Sequence, residues 1–336
     1  MAIKVGINGF GRIGRSVFRQ SLENSDIEIV GINDLTDPKT LAHLLKYDST
    51  HGVLSTEVTS DDNALYVNSK KINLFSEPNP NAIPWGDLEL DVIIECTGRF
   101  TKKEDAALHL NSGVKKVIIS APSPDAKTIV VGVNDDTLSG TDDVVSNASC
   151  TTNCLAPIAK IIDDHFTITK GYITTTHAFT ADQRLQDSPH KDLRRARSAT
   201  DAIIPTKTGA ATAVGKVLPN LNGKLDGIAL RVPVGCGSIV DFVCEVEQTV
   251  SAEQVNQAIH DSIKADKLEG IVAVTDAPIV SKDIIGSTES AIVDSGLTSA
   301  KDNMVKLLIW YDNETAYSKR LIDLVGIVLK SKPIYA

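Results

Sequence analysis

The sequence is poor in cysteine, has no long apolar runs and carries no excess of positive charge. Five cysteines in 336 residues are too few and too irregularly spaced for the disulfide framework of a secreted protein, so we expect free thiols. No segment approaches the roughly 20 apolar residues that span a bilayer, and the amino terminus does not combine a basic stretch with a long apolar run. These absences predict a cytoplasmic protein that does not enter a membrane.

The charge balance argues against a nucleic-acid-binding surface. Lysine and arginine number 34 against 43 acidic residues, a net charge of −9, whereas nucleic-acid binding depends on neutralising many phosphates. An anionic ligand must therefore bind at a local cluster of basic residues. The chain contains no repeat, linker or low-complexity segment, and its length exceeds what one hydrophobic core usually supports, which predicts two domains.

A glycine-rich turn follows the first apolar segment. The run I-K-V-G-I-N-G continues into Gly9, Gly11 and Gly14, and apolar residues at helical spacing come next, so G-x-G-x-x-G lies between a strand and a helix. Glycines let the backbone approach a pyrophosphate, and the helix start offers unpaired N–H groups. A second strand ends at Asp34, where an acid can bind ribose hydroxyls. The pattern predicts an NAD site; a tight turn with an exposed Asp34 is the alternative.

Three further runs resemble strands of the same sheet, over 91–96, 116–119 and 128–133. Parallel α/β sheets bind ligands at the carboxyl ends of their strands. Thr97 and Ser120, which follow the first two runs, are therefore expected near the cofactor.

Beyond Cys150 the pattern changes. A helix-like segment is followed by long strand-like runs over 171–177, 225–234 and 239–249. Ser251 and Gln254 form the pattern of a capping box that opens another helix. Apolar residues from Asn313 onward predict an amphipathic carboxyl-terminal helix.

Cys150 and Cys154 stand four positions apart in S-N-A-S-C-T-T-N-C. Zinc needs a second pair of ligands at suitable spacing, which the sequence lacks, so no metal is predicted. A disulfide across adjacent helical turns would be strained. Cys154 suits burial on an apolar helix face. Cys150 is expected at the positive end of the helix, which lowers the pKa of a thiol and favours a nucleophile, although a structural pair remains open.

A cysteine nucleophile needs a base, and His177 is the best candidate. It ends the strand-like run Y-I-T-T-T-H at a polar edge. The other histidines lie in amphipathic stretches or beside turns. A structural role for His177 is the alternative.

Several motifs together identify the chain as similar to phosphorylating glyceraldehyde-3-phosphate dehydrogenases. They are N-G-F-G-R-I-G-R, Y-D-S-T-H-G, S-N-A-S-C-T-T-N-C-L-A-P, T-H-A-F-T-A-D-Q, H-K-D-L-R-R-A-R, T-G-A-A, L-R-V-P and W-Y-D-N-E. The resemblance implies a homotetramer with a Rossmann-type dinucleotide-binding domain over 1–149, completed by a helix over 315–336. It also implies an α+β catalytic domain with a mostly antiparallel sheet over 150–314.

The resemblance further implies an oxidative phosphorylation of glyceraldehyde 3-phosphate that uses NAD and inorganic phosphate. Cys150 would attack the aldehyde, His177 would take the thiol proton, and phosphate would cleave the resulting thioester. The implied cofactor residues are Gly9, Gly11, Arg12, Ile13, Gly14, Asp34, Thr97, Ser120, Asn313 and Tyr317. The implied substrate and phosphate residues are Ser149, Thr151, Thr180, Arg195, Thr208, Gly209 and Arg231.

Some positions depart from the family pattern. Ser188 stands where a bulkier residue usually helps to exclude NADP, so we expect an NAD enzyme with some tolerance of NADP. Gly235, Cys236 and Gly237 interrupt a strand that normally lacks them. Erythrose-4-phosphate dehydrogenase, and a non-catalytic redox-sensing or adhesive role, remain alternatives.

Overall fold

The computed structural model describes residues 2–330, which form two compact units. The first unit contains 2–129, 135–148 and 318–330, and the second contains 130–134 and 149–317. The domain boundary predicted from the sequence lies one residue later, after 149, and residues 315–336 were predicted to complete the first domain. Residues 331–336 of that predicted helix lie outside the described part of the chain.

A nine-stranded sheet organises the first unit, in the order β10-β11-β9-β8-β1-β2-β7-β6-β5. Its central strands pair in parallel, and only the β7-β6-β5 edge is antiparallel. The elements are β1 (Ile3–Asn8), α1 (Arg12–Ser21), β2 (Ile27–Asn33), α2 (Pro38–Lys46), β3 (Tyr47–Asp48), β4 (Gly52–Val53), β5 (Val58–Ser60), β6 (Ala64–Val67), β7 (Lys70–Phe75), β8 (Val92–Glu95), α3 (Lys103–Ala106), β9 (Lys116–Ile119), β10 (Lys127–Thr128) and β11 (Val144–Ser146).

The central strands of this sheet end in register. Asn8 is paired with Asn33 on one side and Glu95 on the other, and Glu95 is paired with Ile119. The loops after β1, β2, β8 and β9 therefore leave one edge together, as expected for parallel strands joined by crossover connections.

One predicted strand is wrong. Of the run 128–133 only Thr128 lies in a strand, the two-residue β10, and a turn follows in which the Val130 N–H donates to the Asn134 side chain at 2.8 Å. Apolar composition alone does not separate a strand from a buried turn, because both bury their side chains.

An eight-stranded, mostly antiparallel sheet organises the second unit, in the order β13-β14-β12-β15-β19-β17-β16, with β18 paired to β19. The fold class predicted from the sequence is thereby confirmed. The elements are α4 (Cys150–Phe166), β12 (Ile168–Ala178), β13 (Ile204–Lys207), α5 (Ala210–Val217), β14 (Leu225–Val232), β15 (Ser238–Val246), α6 (Ala252–Ala265), β16 (Val272–Thr275), β17 (Ala291–Asp294), β18 (Ser299–Lys301) and β19 (Met304–Tyr311). Helix α7 (Thr315–Lys330) begins in this unit, and from Ser318 onward it belongs to the first unit.

The two faces of this sheet differ. Along β15, Val240, Phe242 and Cys244 are buried and alternate with partly exposed residues, because successive side chains of a strand point to opposite faces. Helix α4 packs against β12, β15 and β19. The buried face therefore supports α4 and, with it, the position of Cys150.

Helix ends follow the sequence signals. Ser251 and Gln254 form the predicted capping box at the start of α6. Within residues 2–330, no helix is long and apolar enough to cross a membrane.

Candidate active site

The three glycines after β1 differ in their surroundings. Gly9 adopts a φ of +93°, which favours glycine, and a Cβ there would lie 2.7 Å from the Thr97 backbone nitrogen. A Cβ at Gly14 would lie 2.2 Å from the Gly9 carbonyl oxygen, so this glycine permits close packing of α1 on the turn. A Cβ at Gly11 would meet no atom within 4 Å. The backbone at Gly11 is thus open to a pyrophosphate, and the loop fits a dinucleotide.

Asp34 and Arg12 border this glycine loop. Asp34 Oδ2 accepts a hydrogen bond from the Phe10 N–H at 2.7 Å, which fixes the carboxylate beside the loop. Arg12 opens α1, followed by Ile13, and its guanidinium donates to Asp48 Oδ2 at 2.6 Å. Arg12 therefore has a fixed position in the first turn of the helix.

Thr97 and Ser120 lie where the sequence predicted, after β8 and β9. The Thr97 N–H donates to Glu95 Oε1 at 2.8 Å, and its hydroxyl donates to the same oxygen. The Ser120 N–H donates to the Glu95 carbonyl at 2.9 Å. Both residues thus stand at the edge where the strands end.

In the second unit, Asn313 has a fixed side-chain amide, and Tyr317 is buried nearby in α7. Asn313 Oδ1 accepts from the Gly237 N–H at 3.1 Å and from the Ser238 hydroxyl at 2.9 Å. Gly237 has a φ of +90°. Gly235, Cys236 and Gly237 do not interrupt a strand: they lie in the loop between β14, which ends at Val232, and β15, which begins at Ser238. The Gly237 N–H helps to orient Asn313, and the Cys236 thiol donates to Asp312.

Cys150 and His177 meet in the second unit. Cys150 is the first residue of α4, whose amino-terminal cap is Ser149, and His177 is the penultimate residue of β12. Cys150 Sγ lies 3.3 Å from His177 Nε2. The Tyr311 hydroxyl, on β19, forms hydrogen bonds with two other hydroxyls, that of Thr151 at 2.8 Å and that of Thr175 at 2.9 Å. This buried link fixes the start of α4 relative to β12.

The Ala178 carbonyl determines which ring nitrogen of His177 carries the proton. Its oxygen lies 2.6 Å from Nδ1. Two lone pairs at that distance would repel each other, so Nδ1 carries the proton and donates it to the carbonyl. Nε2 then presents its lone pair to Cys150 Sγ. Arg231 lies next to His177 because the two residues are paired across β12 and β14. Its Nη1 lies 2.8 Å from His177 Nδ1 and 3.0 Å from the same carbonyl. With Nδ1 protonated, the guanidinium donates to the carbonyl and not to the ring.

Burial controls the protonation of both groups. It raises the pKa of the Cys150 thiol, although the charge of Arg231 and hydrogen bonds with Thr151 act in the opposite direction. The pKa lowering predicted from the helix start is therefore wrong for this site. Burial and the adjacent Arg231 lower the pKa of His177 to about 3, so the imidazole is neutral at pH 7 and Nε2 keeps its lone pair.

We expect His177 to make the protein less stable in acid. Its pKa is about 3 in the folded state and 6.5 when unperturbed, so between these values the unfolded chain binds a proton that the folded chain does not. The free energy of unfolding should therefore fall as pH drops below 6.5, by up to about 1.4 kcal/mol per pH unit from this group. Urea unfolding at several pH values should show a shallower fall for His177→Gln, and an unchanged slope would contradict the assignment. His165→Gln serves as the control.

Charged residues surround the remaining predicted phosphate contacts. Arg195 is ion-paired with Asp182, and Arg231 is half-buried beside His177. The Thr180 N–H donates to Gln183 Oε1 at 3.3 Å. No sequence pattern singled out Asp182 or Gln183, because their roles depend on contacts within a loop that has no periodic pattern.

Two helix starts carry the other predicted phosphate residues. Ser149 caps α4, and Thr151 is buried in its first turn against Tyr311. Gly209 caps α5, and the Thr208 hydroxyl accepts from the N–H of the first residue of that helix at 3.2 Å. Helix α4 packs against α5. Such starts offer unpaired N–H groups and a positive dipole end to an anion.

Comparison with known proteins agrees with this geometry. The family model described as the NAD binding domain of glyceraldehyde 3-phosphate dehydrogenase matches residues 3–103, and the model of its C-terminal domain matches 149–313. A glyceraldehyde-3-phosphate dehydrogenase of Geobacillus stearothermophilus is 55% identical over 98% of both chains. One from Mycobacterium avium is 52% identical over 98% of this chain and 100% of its own, and one from Bacillus subtilis is 52% identical over 98% and 99%. The family predicted from the motifs is confirmed: this chain belongs to the glyceraldehyde-3-phosphate dehydrogenases, and its amino-terminal part is their NAD-binding domain.

Proposed function

We propose that this protein catalyses the NAD-dependent oxidation and phosphorylation of D-glyceraldehyde 3-phosphate to 1,3-bisphosphoglycerate. The observation that carries the proposal is the distance of 3.3 Å between Cys150 Sγ and His177 Nε2 at the start of α4. A thiol, a neutral imidazole and a helix start together suit covalent catalysis on a carbonyl carbon.

The first step is attack of Cys150 on the aldehyde. The S–C bond forms as the thiol proton passes to His177 Nε2, and the carbonyl oxygen gains a negative charge. His177, now protonated, donates back to that oxygen and completes the hemithioacetal. The fixed Nδ1–H bond to the Ala178 carbonyl keeps Nε2 directed at the reacting atoms throughout.

The substrate phosphate is assigned to Arg231, Arg195 and Thr180. A guanidinium supplies several donors in a planar fork that matches phosphate oxygens. Arg231 also lies beside His177, so a phosphate bound there would hold the aldehyde within reach of Cys150. These cations supply the local basic cluster that an acidic protein needs for an anionic substrate.

The glycine loop, Asp34, Thr97 and Ser120 would hold the dinucleotide, and Asn313 and Tyr317 would bind near its nicotinamide. The bound dinucleotide would supply the hydride acceptor. As the hydride leaves the hemithioacetal carbon, His177 Nε2 would take the hydroxyl proton, and Cys150 would be left acylated as a thioester. Inorganic phosphate, held by Ser149, Thr151, Thr208 and Gly209, attacks the acyl carbon, and the Cys150 thiolate leaves.

The direct test is NADH formation by the purified protein. We expect turnover with glyceraldehyde 3-phosphate, NAD and phosphate together, and loss of sustained turnover when phosphate is omitted. Faster, phosphate-independent turnover of erythrose 4-phosphate would instead favour the related dehydrogenase. No turnover of either aldehyde would favour a binding or redox-sensing role.

We also propose NAD as the preferred cofactor, with some turnover of NADP because Ser188 is small. The Asp34 carboxylate would repel a 2′-phosphate. In Asp34→Ser we expect kcat/KM for NADP to rise about tenfold and that for NAD to fall by a similar factor, about 1.4 kcal/mol each. The exposed Asp62→Ser is the matched control. If the unaltered protein did not turn over NADP, the proposed tolerance of NADP would be refuted.

A homotetramer is the proposed assembly. Its support is the outer face of the eight-stranded sheet, where Tyr172 is 68% exposed and Ile228 and Met304 are about half exposed. Tyr172 and Ile228 lie on the adjacent strands β12 and β14, and Met304 lies on β19, which β15 separates from β12. Exposed apolar side chains on one sheet face suit contact with another copy of the chain. In Tyr172→Asp we expect the sedimentation coefficient to shift towards dimers or monomers. Leu22→Asp, a substitution of an exposed residue at the end of α1, should leave the assembly unchanged, and an intact tetramer in Tyr172→Asp would exclude this face.

The cytoplasm is the proposed location. All five cysteines are free in the described residues, which suits a compartment that keeps thiols reduced. The proposed partners are the aldehyde, phosphate and the other subunits, with neither nucleic acid nor a membrane in the primary role.

A further inference from the structure

A polar cluster, buried except for Thr97, lies beside the proposed cofactor loops, and apart from Thr97 its residues have no role in the proposed reaction. We call it the Glu95 cluster: Asn8, Trp85, Glu95, Thr97 and His109. The side chains of Trp85 and His109 are fully buried, and that of Glu95 is 1% exposed. Burying a carboxylate is costly unless it is fully hydrogen-bonded, so such a cluster calls for an explanation.

The hydrogen bonds fix the direction of each donor. The Trp85 indole N–H can only donate, and it donates to His109 Nδ1 at 3.0 Å. The proton of His109 is therefore on Nε2, which donates to Glu95 Oε2 at 3.2 Å. Trp85 thus sets the tautomer of His109, and His109 in turn holds one oxygen of Glu95.

The other contacts of Glu95 also come from donors. The amide of Asn8 donates to Oε2, and the Thr97 N–H and hydroxyl both donate to Oε1. The Thr97 hydroxyl also accepts from the Arg99 N–H at 3.1 Å. Glu95 is therefore the common acceptor that fixes the turn after β8.

The same cluster reaches the other two cofactor loops. The Asn8 Oδ1 accepts from the Asn33 amide at 2.8 Å, and Asn33 immediately precedes Asp34. The Gly9 N–H donates to the Asn33 carbonyl at 2.8 Å, and Gly9 has no room for a Cβ against Thr97. A displacement of Glu95 would therefore affect the glycine loop, the ribose-binding acid and Thr97 together.

We propose that Glu95, oriented by His109 and Trp85, is a positioning residue for NAD: it holds the ends of β1, β2 and β8 in the arrangement that binds the dinucleotide. The inference rests on the proposed function, because it needs NAD to bind at Gly9, Asp34 and Thr97. It predicts an effect on cofactor affinity from residues that are buried below the loops and do not act on the substrate.

The first experiment compares two replacements of His109. His109→Leu removes both hydrogen bonds and leaves Glu95 without one donor, whereas the amide of His109→Gln can still accept from Trp85 and donate to Glu95. We expect His109→Leu to raise the Kd of NAD about 10- to 100-fold, while kcat at saturating NAD stays within about twofold. His109→Gln should recover most of the affinity. Equal Kd values in both variants and the unaltered protein would overturn the inference.

The second experiment tests the cluster if His109→Leu does not fold. Trp85→Phe keeps an aromatic ring in the site but removes the N–H that sets the tautomer of His109. This variant should raise the Kd of NAD several-fold. Trp310→Phe is the matched control, because its indole N–H also donates to an acid, Asp294 at 3.1 Å, in the other unit. A rise of the same size in both tryptophan variants would refute the specific role of the cluster.

The two proposals fail in different ways. If the unaltered protein neither binds NAD nor forms NADH, the proposed function fails. If it does both, and the His109 and Trp85 variants bind NAD equally well, only the positioning role of Glu95 fails. In Trp310→Phe, the fluorescence of the remaining Trp85 should change on NAD addition, and an unchanged emission would count against coupling between the cluster and the cofactor loops.

Discussion

Cys150→Ser should lower kcat for the phosphorylating oxidation by about 10⁴-fold or more. The serine hydroxyl would occupy the same place opposite His177 Nε2, but it is a far weaker acid and nucleophile than a thiol and would form a less reactive ester. Binding of NAD should not change, because Cys150 is not assigned to the cofactor. The measurements are initial rates of NADH formation and a separate NAD titration.

Cys154→Ser is the matched control, since Cys154 lies one turn further along α4. Its sulfur is fully buried, 4.0 Å from the Ile309 carbonyl, and burial raises its pKa well above the ordinary value. This variant should retain kcat within about twofold while losing about 1–2 kcal/mol of unfolding free energy, because it buries a hydroxyl in an apolar site. Substantial activity in Cys150→Ser, or its loss in Cys154→Ser alone, would reject Cys150 as the nucleophile.

His177→Gln should lower kcat by about 10²- to 10⁴-fold, the range expected for removal of a general acid and base. The glutamine can hydrogen-bond to Cys150 but cannot accept its proton at neutral pH. Burial raises the pKa of the Cys150 thiol. Without His177 to take the proton, the variant can react only through the fraction of the Cys150 thiol that ionises to solvent. Its activity and its rate of alkylation by iodoacetamide should therefore both increase with pH more steeply than those of the unaltered protein.

His165→Gln provides the comparison for His177→Gln. His165 lies near the end of α4, where Nε2 is 3.0 Å from the Ser262 hydroxyl, away from the start that carries Cys150. It should keep the kinetics and alkylation rate unchanged. Parallel pH profiles for His177→Gln and the unaltered protein would show that His177 does not take the thiol proton.

Local patterns predicted much of the fold. The spacing of Gly9, Gly11 and Gly14 between a strand and a helix indicated the dinucleotide loop, because each glycine meets a steric demand within a few residues. The polar run before Cys150 indicated a helix start, and Ser149 does cap α4. The run 128–133 was the exception, since apolar content alone did not distinguish a turn from a strand.

The properties that depend on distant residues could not be predicted in this way. The helix start suggested a lowered pKa for Cys150, whereas burial raises it. The Glu95 cluster joins Asn8 to His109 over a separation of 101 residues. Asn8 and Glu95 end the strands β1 and β8, but no spacing in the sequence connects either residue to His109 or Trp85.

The sequence by itself determined the two-part architecture, the glycine loop, the start of α4 and the family, because these depend on residue types at short, fixed spacings. Only the tertiary structure decided that Cys150 and His177 are 3.3 Å apart, that Arg231 lies beside the imidazole, and that Glu95 is buried under the cofactor loops. Distances between remote residues and the desolvation of charged groups arise when strands pair and helices pack. The sequence motifs therefore identify the reacting residues, but the pKa values of those residues depend on how the folded chain packs around them.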